Sequence, residues 1–383
     1  MDSAIEKSLS FILFIIIGIL LKRKFSQGDE TNGLKTLILT LALPATIFIA
    51  LLKVKINNDL LALPIFAIVL NVLLFVVAPF LISFVGINDK ASSNSVRLLL
   101  PSLAPGLSCF PFILEFLGDS YLAKAAMADL GNKLFVLLIL YLVAIQWHYK
   151  NNKSIKEPIK KKLKSLVKTL VLEPVNVFIF VALIFLSLGI TMDNLPSFIS
   201  NTLNRLSLIM TPLVLIFIGL ALKLNRRSFF QIFSLLMLRT AISLLLIVAI
   251  AVIFKINIAK EILFLLAFSL SSCSFWPFAH ISNISFKEKH LNEKERTFDT
   301  GIALSVLALS LPISVIMILG MLTAGKTFTS VKSILIAAII FIVIGSIFPI
   351  VNYLKEHLLS KKNDSLNVDK IEKQATINRK LVS

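Results

Sequence analysis

Several ionisable or amide side chains of this chain lie deep inside long apolar stretches, where each needs a partner or a watery cavity. Asp129 and Lys133 are spaced i, i+4, so on one helix face they can neutralise each other. The same pair also suits a substrate or proton site, and Asp129 is our candidate for proton or ion coupling. Asn132 lies beside them and is a candidate substrate ligand. At this stage the internal ion pair and the functional site are equal alternatives.

The stretch LLLPSLAPGLSCFPFILEFLG, residues 98–118, is apolar enough to enter a bilayer but is interrupted by Pro101, Pro105, Gly106 and Pro111. Each proline removes a backbone donor and clashes with the preceding turn, so a helix here must break. The freed carbonyls need partners that lipid cannot supply, and such backbone is tolerated only inside protein or beside a cavity. This pattern predicts a transport site.

A second interrupted stretch, LSSCSFWPFAHISNIS, occupies residues 270–285 and contains Pro277. Paired broken segments at corresponding positions of two halves are typical of the binding site of a secondary transporter. Ser108, Ser272 and Ser274 lie in these segments and are candidate substrate ligands, although satisfying a freed carbonyl is the commoner role for such a hydroxyl. The exposed amides at a half-helix start would attract an anion, which suits a carboxylate substrate.

Other polar residues within the spans favour structural roles. Arg239 could be a counter-charge for an anion, but we slightly favour a side chain that extends along its own stem to the membrane interface. Asp299 has the position of a first-turn acid, and His280 that of a hydrogen-bonded packing residue, because no His, Cys or acid lies near it in the sequence. Interfacial anchors are predicted at Trp147, His148 and Tyr353.

The composition defines the class of protein. With 57% hydrophobic and 16% charged residues and a mean hydropathy of +0.90, the chain is too apolar for a soluble domain and reads as a polytopic membrane protein. Its net charge of +18 lies in short loops between apolar spans, so nucleic-acid binding is not expected. Both cysteines lie in apolar segments and no P-loop pattern occurs, so we expect no metal, no cofactor and no ATP-driven transport.

The hydrophobic pattern predicts eleven spans, of which the first is retained rather than cleaved as a signal peptide. They run at about residues 8–21, 34–52, 60–85, 98–118, 121–147, 174–190, 206–222, 229–254, 262–285, 298–322 and 333–353. Similar glycines, prolines and acids recur at nearly constant offsets, pairing Gly18 with Gly189, Pro44 with Pro212, Pro111 with Pro277 and Asp129 with Asp299. Because five spans per half is an odd number, the second half must enter the membrane inverted.

The predicted fold is therefore an all-α polytopic membrane protein with ten helices in two inverted repeats and an accessory eleventh helix. The predicted divisions are a first repeat (1–148), a basic cytoplasmic loop (149–170), a second repeat (171–323), an accessory span (324–354) and a polar cytoplasmic tail (355–383). The distribution of Lys and Arg over the loops places the amino terminus outside and the tail inside a plasma or inner membrane.

Three motifs carry a family resemblance: GILLKRKFSQGDETNGLKTLILTLALPATIF near the amino terminus, ADLGN in the fifth span, and EPVNVFIFVALIFLSLGI leading into TPLVLIFIGLAL. Together they resemble the auxin efflux carrier family of membrane permeases, which includes bacterial permeases linked to malate and malonate. The resemblance covers roughly residues 5–322. It implies two inverted five-helix repeats, broken fourth and ninth helices that cross in a transport domain beside a scaffold domain, and a homodimer.

Two features depart from that family. Where its members usually show an Asn-Thr-Gly run before the crossover proline, this chain has Ala104, Pro105 and Gly106, so the amide that binds the substrate carboxylate in plant members is missing. An auxin-like ligand is therefore not expected. The eleventh span is the second departure, because the family usually ends after ten.

These patterns together predict a secondary carrier of small organic anions such as carboxylates, driven by a gradient and working by elevator-like alternating access. A sensor or receptor on a transporter fold is the main alternative, since the lysine-rich tail could bind a partner or anionic lipid. A carrier of a neutral or cationic solute is a further alternative. An enzyme is not favoured, because no nucleophile with a base, and no paired His and acids, is evident in the spans. The expected partners are a small-molecule substrate and the lipid bilayer.

Overall fold

The computed structural model describes residues 3–22, 24, 29–54, 58–151, 159–221, 229–289, 291–292 and 295–355, and the regular secondary structure assigned there is helical. The first half contains α1 (Ser3–Leu21), α2 (Glu30–Leu52), α3 (Asn58–Phe84), α4 (Lys90–Leu99), α5 (Phe110–Leu117) and α6 (Asp119–Asn151). The second contains α7 (Ile159–Leu172), α8 (Pro174–Ser187), α9 (Ser197–Ala221), α10 (Phe229–Ile253), α11 (Ala259–Ser269), α12 (Phe275–Lys287), α13 (Thr300–Ala324) and α14 (Val331–Lys355).

The chain is a multi-span helical membrane protein. Within the described residues, 8 helices are long and apolar enough to cross a membrane, and α7 with α8, bent by 61° at Glu173, raises the number to 9. The predicted ninth span is divided into α11 and α12, each too short to cross alone. The predicted fourth span, residues 98–118, covers only the end of α4 and continues through the turn Pro105–Ser108 into α5, so the first short helix begins at Lys90, before the predicted start. The predicted eleventh span is present as α14.

The predicted basic loop, residues 149–170, is only partly a loop. Its second part belongs to α7, and residues 152–158 lie outside the described part of the chain. Leu163, Leu166 and Leu170 recur at helical spacing and turn toward the protein, while the lysines described between them are exposed. The high lysine content suggested a loop, but the period of the apolar residues is that of an amphipathic helix.

Several basic residues on which the predicted orientation rests lie outside the described residues. They are Lys153, Lys156, Arg226, Arg227 and Lys294 in the loops, and those of the tail beyond residue 355.

Proline residues explain the local irregularity of α2. A wide π-helical turn, Ile38–Ala42, precedes Pro44, which lies at the start of the α-helical part that follows. Because a proline ring clashes with the carbonyl of the preceding turn, an extra residue there relieves the clash without ending the helix. The predicted second span therefore continues through Pro44 and is not a second broken span.

The helices pack through glycines where their backbones approach most closely. α1 lies against the second part of α9, α8 against the second part of α2, and α3 against α6. At the α1–α9 contact Gly18 faces Gly219, and at the α3–α6 contact Gly131 faces the carbonyl group of Pro64. Small residues at such positions allow close helix packing in membranes. The α3–α6 contact therefore fixes the part of α6 that carries Asp129 and Asn132.

Replacing Gly131 by Ala is expected to destabilise the protein. A methyl group there would overlap the Pro64 carbonyl group, so α3 and α6 would have to separate. We expect a cost of ~1–3 kcal/mol, the usual range for overpacking, seen as a lower midpoint of thermal unfolding in detergent. Gly320→Ala on α13 is the control, because a Cβ there has no neighbour within 4 Å. Equal midpoints for the two variants would contradict the packing argument.

Candidate functional site

The candidate site is built around two breaks in the helices, residues 100–104 between α4 and the turn Pro105–Ser108, and residues 270–274 between α11 and α12. The two breaks contact each other, and we call this contact the junction. The backbone N–H of Ala104 donates to the Ser272 carbonyl at 2.8 Å, and that of Ser274 donates to the Ser102 hydroxyl at 3.0 Å. Unwound backbone at this depth is therefore paired within the protein, as a lipid environment requires.

The prolines from which the breaks were predicted occupy two kinds of position at the junction. Pro101 lies within the first break, whereas Pro105 and Pro111 lie in the first turns of the helical pieces that follow it. Pro277 likewise lies in the first turn of α12, after the second break. A first-turn proline costs little because its missing N–H would have had no partner in the helix. These prolines mark where the helices restart.

The candidate serines satisfy backbone groups of the junction. The Ser108 hydroxyl donates to the Ala104 carbonyl at 2.8 Å and accepts the Ser272 N–H at 3.0 Å. The Ser274 hydroxyl accepts the Trp276 N–H at 3.3 Å and so caps α12. Ser272 takes part through its backbone. Ser108 thus satisfies a carbonyl at the break, as expected of such a hydroxyl, whereas Ser274 satisfies an amide, and their role as substrate ligands remains a prediction.

Arg239 of α10 corrects one prediction, because its side chain does not extend to the membrane interface. Only 4% of the residue is exposed. Its Nε donates to the Leu100 carbonyl at 2.8 Å, and its Nη2 donates to the carbonyls of Ser271 at 3.0 Å and Ser102 at 3.4 Å. The physical reason is that the carbonyls at the two breaks lie within hydrogen-bonding distance of the guanidinium group. The sequence did not reveal that these carbonyls lie near Arg239.

Asn132 ties α6 to the first break. Its Nδ2 donates to the Leu103 carbonyl at 2.9 Å and to Asp129 Oδ1 at 2.8 Å, while its Oδ1 accepts from the Leu103 N–H at 3.2 Å and from Asn71 Nδ2 at 3.0 Å. Both donors and both acceptor positions of the amide are therefore used. A substrate bound by Asn132 would have to displace one of these partners.

Lys133 is shared by two carboxylates. Its Nζ lies 3.3 Å from Asp129 Oδ2, as the i, i+4 spacing predicts, and 3.0 Å from Glu173 Oε1. It also donates to Asn176 Oδ1 at 3.1 Å. Glu173 lies at the bend between α7 and α8, so this ion pair joins α6 to a different part of the fold. Sequence reasoning missed Glu173 because a charged residue before a proline at a span boundary resembles an ordinary loop residue.

A cavity of about 300 Å³ lies beside the junction. Residues of both breaks line it, together with parts of α2, α6, α8 and α13. Its volume is at the lower end of the range for small-molecule sites. The charged side chains on its wall are Lys35, Asp129, Lys133 and Glu173. The site therefore combines unwound backbone with two lysines and two carboxylates.

Of the two lysines on the cavity wall, Lys35 is the one without a carboxylate partner among the described residues. It makes no ion pair with any residue that the structure describes, whereas Lys133 is paired twice. Its Nζ lies 4.9 Å from the ring centre of Phe275, the first residue of α12. A positive side chain and the positive end of a helix thus lie together on the cavity wall. The signal in the sequence was a lysine within the predicted second span, nine residues before Pro44, which sequence reasoning did not single out.

The remaining candidates lie outside the cavity and have structural partners. Asp299 caps α13, accepting the N–H of Gly301 at 2.7 Å. His280 Nε2 lies 3.1 Å from the Val136 carbonyl, which agrees with a packing role. His148 was predicted as an interfacial anchor but is buried, with Nδ1 2.6 Å from Glu288 Oε1. That partner comes from the end of α12 and was invisible in the local sequence.

A larger groove of about 880 Å³ runs between α1 and α13, but its lining is almost wholly apolar. Many of its side chains are exposed isoleucines, such as Ile12 and Ile16, as expected of a surface that faces lipid acyl chains. It offers a polar solute only the hydroxyls of Ser8 and Thr323, which bond each other. The cavity at the junction is therefore the better candidate for a solute site.

Comparison with known proteins supplies a distant relative. Over 220 residues the chain is 25% identical to the uncharacterized transporter MJ1031 of Methanocaldococcus jannaschii, and the match covers 55% of this chain and 68% of that protein. No family model matches the chain. The resemblance to auxin efflux carriers therefore stays a prediction.

Asn132→Ala is expected to destabilise the protein more than Asn71→Ala. The first change leaves both backbone groups of Leu103 without partners, and each orphaned buried group costs ~1–3 kcal/mol. The second removes one side-chain bond and leaves the Leu103 pairing in place. Thermal unfolding of the purified variants measures the difference. If Asn71→Ala lowered the midpoint as much as Asn132→Ala, the pairing with Leu103 would not be important for stability.

Proposed function

We propose that this chain is a secondary transporter that moves small organic anions, such as carboxylates, across the membrane. The observation that carries the proposal is Lys35, a cavity-lining cation that no carboxylate among the described residues neutralises, beside the amino-terminal end of α12. A carboxylate of the substrate would complete this site by pairing with Lys35, close to the positive end of the α12 dipole. The polar wall formed by the two breaks supplies further hydrogen-bonding groups.

The class of protein has independent support. The helices have the length and composition of membrane spans, and the distant relative carries the name of a transporter. Broken helices that meet beside a cavity are the usual construction of a secondary transporter's binding site. A membrane enzyme has less support, because the polar groups at the junction are occupied with backbone carbonyls and with one another.

The proposed mechanism is elevator-like alternating access. α4, α5, α11 and α12 would move as part of a transport domain against a scaffold of α1, α2, α8 and α9. The packing supports this division, because α1 lies against α9 and α2 against α8. The first span of each half thus packs against the second span of the other half, which is the arrangement that two inverted repeats would produce. We further propose that the amino terminus is outside, as the distribution of basic residues indicates.

The first test is a ligand panel read by thermal stability. A ligand that binds the folded state raises the unfolding midpoint in proportion to its occupancy. Mono- and dicarboxylates should stabilise the protein and should be taken up by proteoliposomes that contain it. Stabilisation by neutral or cationic solutes and by no anion would overturn the proposed substrate class, and Asp129 and Glu173 on the cavity wall would then become the substrate contacts.

Lys35→Gln is expected to weaken binding of a stabilising carboxylate by ~10–100-fold, because a hydrogen bond to a charged group is worth ~1.5–3 kcal/mol. Isothermal titration of the purified variant with that carboxylate measures the change in Kd. Lys53→Gln is the matched control, since Lys53 is exposed, pairs with Asp119 and does not line the cavity. An unchanged Kd for Lys35→Gln would remove Lys35 from the site.

If protons are coupled to transport, Asp129 is our proposed carrier of the proton. Asp129→Asn should then abolish the pH dependence of uptake, because an amide cannot take up a proton, while Asp119→Asn outside the cavity should retain it. The initial rate of uptake across a series of pH values is the measurement. A pH profile of Asp129→Asn that matches the wild type would exclude this role.

A further inference from the structure

The carboxyl-terminal ends of α4 and α11 meet at the junction. The last carbonyls of a helix have no partner within it and carry a partial negative charge of about half an electron in sum. The Leu100 carbonyl belongs to the cap residue of α4, and the Ser271 carbonyl lies just beyond the end of α11. Two such ends close together repel each other and form a set of oxygen atoms that suits a cation.

One side chain occupies this position. The guanidinium group of Arg239 donates to the carbonyls of Leu100, Ser102 and Ser271, and so to both breaks. It comes from α10, a continuous helix, and is almost completely buried. Within the described part of the chain it makes no ion pair, so carbonyl oxygens alone balance its charge.

We propose that Arg239 is a built-in cation that occupies the place of a coupling ion at the junction, so that transport does not depend on sodium or another alkali cation. Hard monovalent and divalent cations prefer oxygen ligands, and carbonyls released from broken helices are ligands of this kind in transporters. Here the guanidinium already holds them. This inference rests on the proposed transport function and deepens it by specifying the cation at the site.

The same arrangement would favour anions in the cavity. Arg239 neutralises the negative ends of α4 and α11, whereas the side chain of Lys35, near the amino-terminal end of α12, pairs with no carboxylate among the described residues. The electrostatic potential at the junction is therefore more positive than it would be if the same helix ends met there without Arg239. A mobile cation that left with each cycle would remove this contribution, but a tethered one does not.

A purely structural role for Arg239 makes a different prediction. If the guanidinium only ties the two breaks together through its N–H donors, free guanidinium can restore the stability of Arg239→Ala but sodium cannot. If it is a built-in cation, its removal leaves oxygen ligands that an alkali cation can fill. Arg239→Ala should then be more stable in sodium, as well as in guanidinium, than in the bulky cation choline, which cannot enter the site.

The test is thermal unfolding of wild type, Arg239→Ala and Arg239→Lys in the chlorides of sodium, guanidinium and choline at equal, non-denaturing concentration. Arg97→Ala is the matched control, because Arg97 lies 4.7 Å from the ring centre of Phe75 and 5.4 Å from that of Trp147 and bonds none of the three carbonyls. We expect the midpoints of wild type, Arg239→Lys and Arg97→Ala to show no preference for sodium or guanidinium over choline. The midpoint of Arg239→Ala should be several degrees higher in sodium than in choline.

Two results would overturn the proposal. One is a wild-type protein that sodium stabilises over choline, or whose uptake follows a sodium gradient. The other is an Arg239→Ala protein that sodium stabilises no more than choline does, or that cannot be purified folded in any of the three salts while Arg97→Ala can. Recovery of folded Arg239→Ala in sodium but not in choline would support it. Because the unfolding assay uses no substrate, its outcome is independent of whether the ligand panel identifies an anion.

Discussion

The structure depends on one constraint, that backbone groups released by a helix break inside a membrane must be paired within the protein. The two breaks release such groups at residues 100–104 and 270–274, and specific side chains pair with several of them. Asn132 holds both backbone groups of Leu103, and Arg239 holds carbonyls of both breaks. Without these partners the interrupted helices would be unstable in lipid.

This constraint separates the polar residues of the spans into two groups. The hydroxyl of Ser108 and the amide of Asn132 are already bonded to backbone, so their first role is to hold the breaks in place. Lys35 and Glu173 line the cavity without bonding either break. A polar residue that is already bonded to the backbone of a break is therefore a weaker candidate ligand than a charged residue that lines the cavity and bonds neither break.

The sequence predicted what depends on neighbouring residues and missed what depends on distant ones. Prolines and glycines located both broken segments, and the i, i+4 spacing identified the pair of Asp129 and Lys133. The additional pairing of Lys133 with Glu173 joins residues far apart in the chain, and no local pattern encodes it. The predicted position of the Arg239 side chain was wrong for the same reason, since its acceptors lie more than thirty residues away along the chain in either direction. The helix α7 was missed differently, because lysine content was weighted above the period of its leucines.

The contacts of Lys133 bear on how the proposed movement would occur. Its ion pair with Asp129 lies within α6, and the bonds of Asn132 and Arg239 connect α6 and α10 to the breaks, so a transport domain that contains all of these elements could move without losing them. The contacts of Lys133 with Glu173 and Asn176 instead reach the bend before α8, which the mechanism assigns to the scaffold. Movement of one domain past the other must break these contacts, and Lys133 would then retain Asp129 as its partner. In the proposed mechanism the second carboxylate would thus stabilise one position of the transport domain, while the first would keep the lysine neutralised in both, which would avoid an unpaired buried charge during the movement.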